Sequence, residues 1–259
     1  MKLCVLLSCM HEKDVSIVER ANIQTDAVVV NQCDHEKVEV FSFFNKRGNK
    51  CCVKFINTAE RGLSKSRNMA IRNCDADLCL LSDDDICFSD DYEEKILSVY
   101  KTHPDVGVVA FQLIRKDLPN GKNYPQVEQE LGFKQILSTS SPQVTFKRCN
   151  NVFFDEKMGS GTSNGGGEEI KFLFEQRRKG IKLWYSPQII ATMNPGDSQW
   201  FKGFDEQFFS NHGWTSRRIL GDFLSLLYCV YFVLKMRDRA NISFVKLVKS
   251  EFTGWMSKR

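Results

Sequence analysis

An apolar run that ends abruptly in three carboxylates is the feature that most constrains this chain. Residues 78–81 (Leu-Cys-Leu-Leu) are followed, one residue later, by Asp83, Asp84 and Asp85. A short run that is apolar at every position is typical of a parallel strand covered on both faces. Ligands bind at the carboxyl ends of such strands, and Mg²⁺ or Mn²⁺ takes carboxylate oxygens as ligands. The run therefore predicts a metal site at a sheet edge, with a solvated acidic turn before a helix near residues 90–100 as the alternative.

The same pattern recurs in the first part of the chain. Residues 2–10 and 27–30 form further apolar runs, and residues 15–23 between them have helical spacing. The alternation of strand, helix and strand predicts a parallel pair with a right-handed crossover, and hence an α/β sheet. The other predicted elements are strands at residues 38–44, 51–56 and 106–113, a helix at 60–73, a loop at 116–124, a strand near 152–154 in an otherwise irregular stretch, strands at 181–185 and 189–193, and a turn at 194–198.

The helix predicted over residues 60–73 carries one arginine beside its small and apolar face. Arg67 lies one position beyond that face. It should point along the sheet edge towards the aspartates, where a guanidinium can bind a phosphate bidentately. A surface arginine on an ordinary amphipathic helix is the alternative.

A glycine-rich segment precedes two glutamates. Residues 159–167 contain five glycines, and Glu168 and Glu169 begin the next predicted helix. Acidic residues are favoured in a first helical turn by the helix dipole, which is a complete structural explanation. The functional explanation is that the glycines let the backbone approach a ligand while a carboxylate acts as general base on a hydroxyl. The residues alone leave both explanations open.

Cysteine usage and charge narrow the class of protein. Several of the ten cysteines lie in apolar runs and none forms a Cys-x-x-Cys pair, which predicts free thiols in a reducing cytoplasm. The net charge is +4, yet residues 235–259 hold seven basic and two acidic residues, leaving −1 for the rest. A nucleic-acid-binding protein would carry basic residues over its body, so we expect no nucleic-acid partner.

The last part of the chain is apolar and then basic. Residues 223–234 are almost wholly apolar, but this run is shorter than the roughly 20 residues needed to span a bilayer. An apolar stripe over residues 245–255, beside lysines, predicts an amphipathic helix suited to an anionic membrane surface. A C-terminal helix packed on the domain is the alternative.

Together, these motifs resemble the family 2 glycosyltransferases. They are residues 60–68 (Glu-Arg-Gly-Leu-Ser-Lys-Ser-Arg-Asn), the Leu-Leu-Ser-Asp-Asp-Asp-Ile strand end, the Gly-Gly-Gly-Glu-Glu loop, and residues 180–183 (Gly-Ile-Lys-Leu). Over residues 3–210 the chain is similar to bacterial members that build capsular or other surface polysaccharides. The resemblance implies an α/β GT-A fold, with a Rossmann-like, mostly parallel nucleotide-binding sheet flanked by helices, over residues 1–212. A C-terminal helical, basic amphipathic tail is expected over residues 213–259.

The resemblance also implies roles for individual residues. Asp84 and Asp85 stand at the metal-binding positions, while Ser82 stands where many members carry the first aspartate of an Asp-x-Asp motif. Which aspartates contact the metal therefore stays open. Glu169 stands at the position of the catalytic base, usually an aspartate, and Glu168 can exchange roles with it. The positions that match the family's cofactor-binding and donor-binding residues are Ser8, Asn31, Gln32, Asp34, Arg67 and Asp83.

The activity implied by the resemblance is that of a metal-dependent, inverting hexosyltransferase. The donor is a nucleotide-diphosphate sugar, most often a UDP-sugar, bound with Mn²⁺ or Mg²⁺. Some relatives place a metal-assisting histidine near residues 193–194, where this sequence has none. The acceptor is a glycan or a polyprenyl-diphosphate-linked glycan in bacterial surface polysaccharide synthesis. We expect a cytoplasmic protein, held peripherally on the inner face of the cell membrane by its tail. A nucleotidyltransferase and a non-catalytic nucleotide-sugar-binding module remain as alternatives.

Overall fold

A ten-stranded sheet organises this computed structural model, which describes residues 1–116, 124–194 and 203–257. The loop predicted at 116–124 and the turn predicted at 194–198 lie almost wholly outside the described residues. In chain order the strands are β1 (Leu3–Met10), β2 (Asp26–Gln32), β3 (Lys37–Phe44), β4 (Lys50–Thr58), β5 (Leu78–Asp83), β6 (Ile86–Phe88), β7 (Val106–Arg115), β8 (Gln129–Glu130), β9 (Val144–Lys147) and β10 (Lys182–Met193).

Helices cover both faces of the sheet and extend beyond it at the C-terminal end. In chain order they are α1 (Ile17–Arg20), α2 (Leu63–Arg72), α3 (Tyr92–Thr102), α4 (Phe133–Ile136), α5 (Glu168–Arg178), α6 (Glu206–Met236) and α7 (Phe244–Met256). Two buried apolar clusters lie on opposite faces of the central strands, because alternate residues of β1 belong to one cluster or the other.

The centre of the sheet is parallel, as the alternation of elements predicts. The sheet order is β3-β4-β2-β1-β5-β9-β7-β10-β6, and β4, β2, β1 and β5 pair in parallel. Leu6 and Leu7 are fully buried, which is why these strands are apolar at successive positions. The whole sheet is mixed, since β3, β9, β6 and β8 pair antiparallel with their neighbours.

Three of the secondary-structure predictions were wrong. The strand predicted near residues 152–154 is absent, and the strand of that region is β9, where Thr145 interrupts the apolar pattern and donates to the Val109 carbonyl. Phe154 instead packs from a loop, stacked on Phe172 with centroids 4.3 Å apart. The two strands predicted at 181–193 are one strand, β10, which contains register shifts around its proline. α1 is a single turn rather than the nine residues predicted.

The C-terminal residues form a helical hairpin, which confirms the predicted helical appendage. α6 is kinked at Gly221, whose φ is 75°. α7 packs along α6, and Gly213 and Gly254 lie so close to the backbone of the facing helix that a Cβ at either position would clash with it. The division predicted between residues 212 and 213 falls inside α6 and stays a prediction.

The apolar run of the sequence belongs to a helix much longer than the run itself. By length and composition α6 qualifies as a possible membrane-crossing helix, a property shared by core helices of soluble proteins. The stripe predicted on α7 lies partly against α6, since Trp255 Nε1 donates to the Ser225 hydroxyl at 2.7 Å and Val248 packs on the buried cluster of the hairpin. Its first residue, Val245, is 76% exposed, while Leu247 and Glu251 are fully buried. All ten cysteines are free thiols, as predicted.

Candidate active site

The carboxyl ends of β1, β2 and β5 meet at one edge of the sheet. The register places Ser8 of β1 beside Asp83 of β5, and Cys9 beside Asn31 of β2. Ser66 of α2 donates a hydrogen bond of 2.8 Å to the Ser8 hydroxyl, which ties the helix to this edge. The strand order therefore collects the predicted site residues of three separate segments.

Arg67 joins the aspartates to the start of α5. Its side chain is 1% exposed, so it is not a surface arginine. Nη1 donates to Glu168 at 2.9 Å, while Nη2 donates to Asp83 at 2.8 Å and to the hydroxyl of Ser141 at 2.6 Å. The guanidinium also lies 5.3 Å from the ring centroid of Phe154. The prediction that Arg67 points to the acidic edge is confirmed, but its terminal nitrogens bind carboxylates and a hydroxyl of the protein itself.

The two adjacent glutamates have different environments. Glu168 is buried, with one carboxylate oxygen bound to Arg67 and the other, Oε2, without a hydrogen-bond partner in the described part of the chain. Glu169 is half-buried, and burial together with the charge of Glu168 raises its pKa to about 8, although Arg67 opposes the rise. The charge of Asp83 also raises the pKa of Glu169, and Arg67 bridges Asp83 and the adjacent Glu168. A carboxylate with such a pKa can accept a proton near neutral pH.

The aspartates of the acidic edge repel one another. Loss of hydration and the charge of Asp83 raise the pKa of Asp84, and the same causes, with Asp84, raise that of Asp85 to about 6. Asp85 Oδ1 is buried without a partner among the described residues. Ser82 is buried, and its hydroxyl donates to the Asp83 carbonyl. The backbone amide of Asn194 donates to the Asp85 carbonyl at 2.8 Å. Residue 194, near which some relatives place a metal-assisting histidine, therefore lies beside the aspartates.

A divalent cation fits this edge in part. No group of three or more His, Cys, Asp or Glu side chains within residues 1–116, 124–194 and 203–257 is arranged to hold a metal. Asp83 is engaged by Arg67, which leaves Asp84 and Asp85 as the available carboxylates. The pKa values of both carboxylates are raised, and a bound cation would stabilise their ionised forms and supply a partner for the buried oxygen of Asp85. Substrate phosphates commonly supply the remaining ligands of Mg²⁺.

The other predicted donor-binding residues differ in how free their side chains are. Asn31 is fully buried and holds the loop after β1, because its amide exchanges hydrogen bonds with both backbone groups of Glu12. Gln32 accepts from the amide of Gly62 at 2.7 Å, at the start of α2. Asp34 is exposed and pairs with Arg61 at 2.6 Å. Contacts of these three residues with a nucleoside stay predictions.

The first residues of the glycine-rich segment pack on the start of α2. The Ser160 carbonyl accepts from the Leu63 amide at 2.9 Å. Gly161 packs on the backbone of Gly62, and Gly159 packs on the side chain of Glu168. Gly167, with φ 82°, is the N-cap of α5. These contacts fix the position of the first turn of α5, and so of Glu169, relative to Arg67.

Several residues at this edge were not predicted. Ser141 completes the shell of Arg67, and nothing in the local sequence marks it. Glu12 and Arg20 form an ion pair of 2.6 Å, and both act electrostatically on Asp84. Arg115, at the end of β7, lowers the pKa of Asp85. Charged residues at the ends of predicted strands are a signal for such sites. Glu12 lies two residues after β1, and Arg115 is the last residue of β7.

The sequence of this chain matches a known protein family. Residues 16–160, more than half of the chain, match the family model described as Glycosyl transferase family 2. A Haemophilus influenzae protein described as an uncharacterized glycosyltransferase is 25% identical over 141 residues, covering 51% of this chain and 46% of that protein. The chain thus spans about half the length of this curated relative.

Solved structures of TarS from S. aureus resemble this chain in fold. TarS 1–349 superposes with a TM-score of 0.57 at 14% identity, covering 98% of this chain and 71% of that one. TarS 1–349 in complex with UDP-GlcNAc superposes with a TM-score of 0.55 at 15% identity, covering 98% and 72%.

Proposed function

The chain belongs to glycosyl transferase family 2, and from this premise we propose that it transfers a sugar, with inversion, from a nucleotide-diphosphate sugar to a glycan or lipid-linked glycan. Its fold is GT-A, as the resemblance implied. Two of the TarS structures are complexes, one with UDP and one with UDP-GlcNAc, which supports a UDP-sugar as the donor here.

One observation carries the proposal. Arg67 bonds both to Asp83, at the end of β5, and to Glu168, at the start of α5. It therefore holds the acidic edge and the helix that bears Glu169 on either side of one guanidinium. An inverting transferase needs this juxtaposition, because a general base must face the anomeric carbon of a donor whose diphosphate lies beside the aspartates.

Glu169 is the proposed base. Its carboxylate removes the proton from the attacking acceptor hydroxyl as the bond to the anomeric carbon forms and the bond to the diphosphate breaks. Glu168 is a positioning residue in this scheme, because its carboxylate is already bound to the guanidinium of Arg67. Arg67 also opposes the rise in the Glu169 pKa, so a fraction of Glu169 is ionised near pH 7.

Asp84 and Asp85 are the proposed ligands of Mn²⁺ or Mg²⁺. When bound, the cation neutralises the negative charge that develops on the departing diphosphate. The two carboxylates themselves supply the negative field that attracts it. Asp83 remains paired with Arg67, and this ion pair fixes the carboxyl end of β5.

Membrane association through the hairpin is part of the proposal. The second half of α6 exposes a row of large apolar side chains, followed by basic residues at its end. Apolar area beside cationic residues favours an anionic bilayer surface. The exposed apolar residues are Phe223, Leu224, Leu226, Leu227, Val230, Tyr231 and Leu234. Sedimentation with vesicles containing anionic lipid tests this, and Leu227→Glu combined with Leu234→Glu should release the protein.

Product formation tests the transfer itself. The purified chain is incubated with UDP-sugars, Mn²⁺ or Mg²⁺ and a panel of glycoside acceptors, and products are detected by mass spectrometry. Glu169→Gln should lower kcat by about 10²–10⁴-fold, the usual contribution of a general base. Glu175→Gln, on the solvent side of the same helix where it pairs with Lys171, is the matched control and should keep full activity.

The same assay distinguishes the alternatives. Donor binding without any glycoside product would favour a non-catalytic nucleotide-sugar-binding module. Release of pyrophosphate from a nucleoside triphosphate would favour a nucleotidyltransferase. Near-normal turnover by Glu169→Gln would refute the assignment of the base.

A further inference from the structure

An apolar cavity of about 640 Å³ lies between the glycine-rich segment and α6. Its walls are largely apolar and aromatic, with Ile170, Phe208, Ile219, Tyr228 and Phe232 among the lining residues. Pockets of about 300–1,000 Å³ with apolar walls commonly bind small organic ligands. The proposed chemistry at the acidic edge does not use this cavity.

The cavity adjoins the proposed base. Gly167 and Ile170, which flank Glu168 and Glu169 in the chain, both line it. Asp83 acts electrostatically on Glu169 from the acidic edge. An acceptor whose hydroxyl reaches Glu169 can therefore place the rest of its mass in the cavity.

One polar group of the wall is held in a fixed orientation. His212 lines the cavity, and its Nδ1 lies 2.7 Å from Oε1 of Glu251, a fully buried residue of α7. A carboxylate only accepts, so Nδ1 is the donor. The imidazole also stacks on Phe232, with centroids 3.7 Å apart. A few well-held polar groups in an apolar pocket typically orient a ligand that has one polar part.

The apolar lining continues onto the outer surface of α6. Leu224 and Tyr231 are exposed and lie one helical turn from Tyr228, which lines the cavity. Leu227 and Leu234 extend the same exposed surface. A hydrocarbon chain longer than the cavity can therefore leave along a surface that remains apolar.

We propose that this cavity binds the hydrocarbon aglycone of the acceptor, so that the acceptor is a lipid-linked sugar rather than a free glycan. The inference rests on the proposed function. The acceptor sugar lies at Glu169, His212 contacts the polar link between sugar and chain, and the chain fills the space lined by Ile219, Tyr228 and Phe232.

Two glucosides that differ only in chain length test the proposal. Octyl β-D-glucoside, below its micelle-forming concentration, and methyl β-D-glucoside are titrated calorimetrically into the whole 259-residue chain with UDP and Mn²⁺ present. Each buried methylene improves binding by about fourfold, so octyl glucoside should bind the wild type at least tenfold more tightly than methyl glucoside.

Matched variants locate the chain. Tyr228→Asp should remove most of the difference between the two glucosides, because it places a carboxylate in the wall. Val245→Asp makes a similar change at an exposed position of α7, outside both the cavity lining and the apolar surface of α6, and should keep the difference. Leu220→Asp, also in the wall, repeats the test if Tyr228→Asp does not fold, as judged by thermal melting.

Equal affinities of the wild type for the two glucosides would overturn the proposal. So would an unchanged difference in a folded Tyr228→Asp or Leu220→Asp variant. UDP binding is measured alongside. A wild type that binds UDP but not octyl glucoside contradicts only this inference, whereas a wild type that binds no nucleotide and forms no product contradicts the proposed function on which it rests.

Discussion

Loss of the Arg67 guanidinium should destabilise the protein and impair the proposed base, Glu169, at the same time. In Arg67→Met, Glu168 keeps a buried charge with no partner, and Asp83 loses its bond as well. Breaking a buried ion pair by removing one partner costs about 3–5 kcal/mol. The ion pair between Arg67 and Asp83 contributes less to stability, about 0–1 kcal/mol, because the Asp83 side chain is 28% exposed to solvent. We therefore expect a loss of about 3–5 kcal/mol in the free energy of unfolding.

The origin of this loss can be tested by a second substitution. Adding Glu168→Gln to Arg67→Met removes the stranded charge, so we expect it to recover about 2 kcal/mol. Urea unfolding at pH 7 measures both, with the slope m unchanged if the denatured state is unaffected. A loss below about 1 kcal/mol for Arg67→Met, or no recovery in the double variant, would refute the view that the guanidinium compensates Glu168.

The same variant has a kinetic signature. The charge of Arg67 lowers the pKa of Glu169, so its removal raises that pKa further. In Arg67→Met, the rising limb of the pH profile of kcat/KM should move to higher pH. A limb that stays in place would show that Arg67 does not act on the base.

Three further predictions follow from the site. Because the pKa of Glu169 is raised to about 8 and the base must be ionised, kcat/KM should rise with pH up to about 8 and then level off, and a flat profile between about pH 6 and 9 would contradict this. The pKa of Asp85 is raised to about 6, so the folded state binds its proton more tightly than the unfolded state. Its contribution to stability therefore falls as pH rises from about 4 to 6. Asp85→Asn should stabilise the protein by about 1–3 kcal/mol at pH 7, measured by urea unfolding without added metal. Destabilisation by this substitution would contradict the repulsion between the aspartates. Gly167→Ala should cost about 1–3 kcal/mol, since φ is 82° and the new Cβ would lie 2.7 Å from Cγ2 of Thr215, and a thermal melt equal to that of the wild type would exclude this strain.

The sequence predicts best what is local. Strand β5 and its terminal aspartates follow from an apolar run and a change of polarity at Asp83. The direction of Arg67 follows from helical spacing. Its partner Glu168 lies 101 residues away, and no spacing rule links them. The pairing depends on the strand order, which determines that the end of β5 and the start of α5 share one edge.

Polar residues at strand ends show the limit of this reasoning. Asn31 has the position expected of a ligand-binding residue, and its amide bonds the loop that follows β1, so contact of this side chain with a nucleoside stays a prediction. A side chain that binds a ligand and one that satisfies a neighbouring loop look the same in a sequence. Strand β9 was missed for a related reason, since Thr145 reads as polar but its hydroxyl bonds inside the sheet. Only the three-dimensional partners distinguish these cases.

The crossing of the last two helices at Gly213 and Gly254 affects how the enzyme can be shortened. Glu251, which fixes His212 in the cavity wall, belongs to α7. Truncation before residue 244 would therefore alter the wall of the cavity as well as the outer surface of the hairpin. Point substitutions on the exposed half of α6 leave His212 and its partner Glu251 in place, whereas deletion of α7 changes the outer surface and the cavity wall at once.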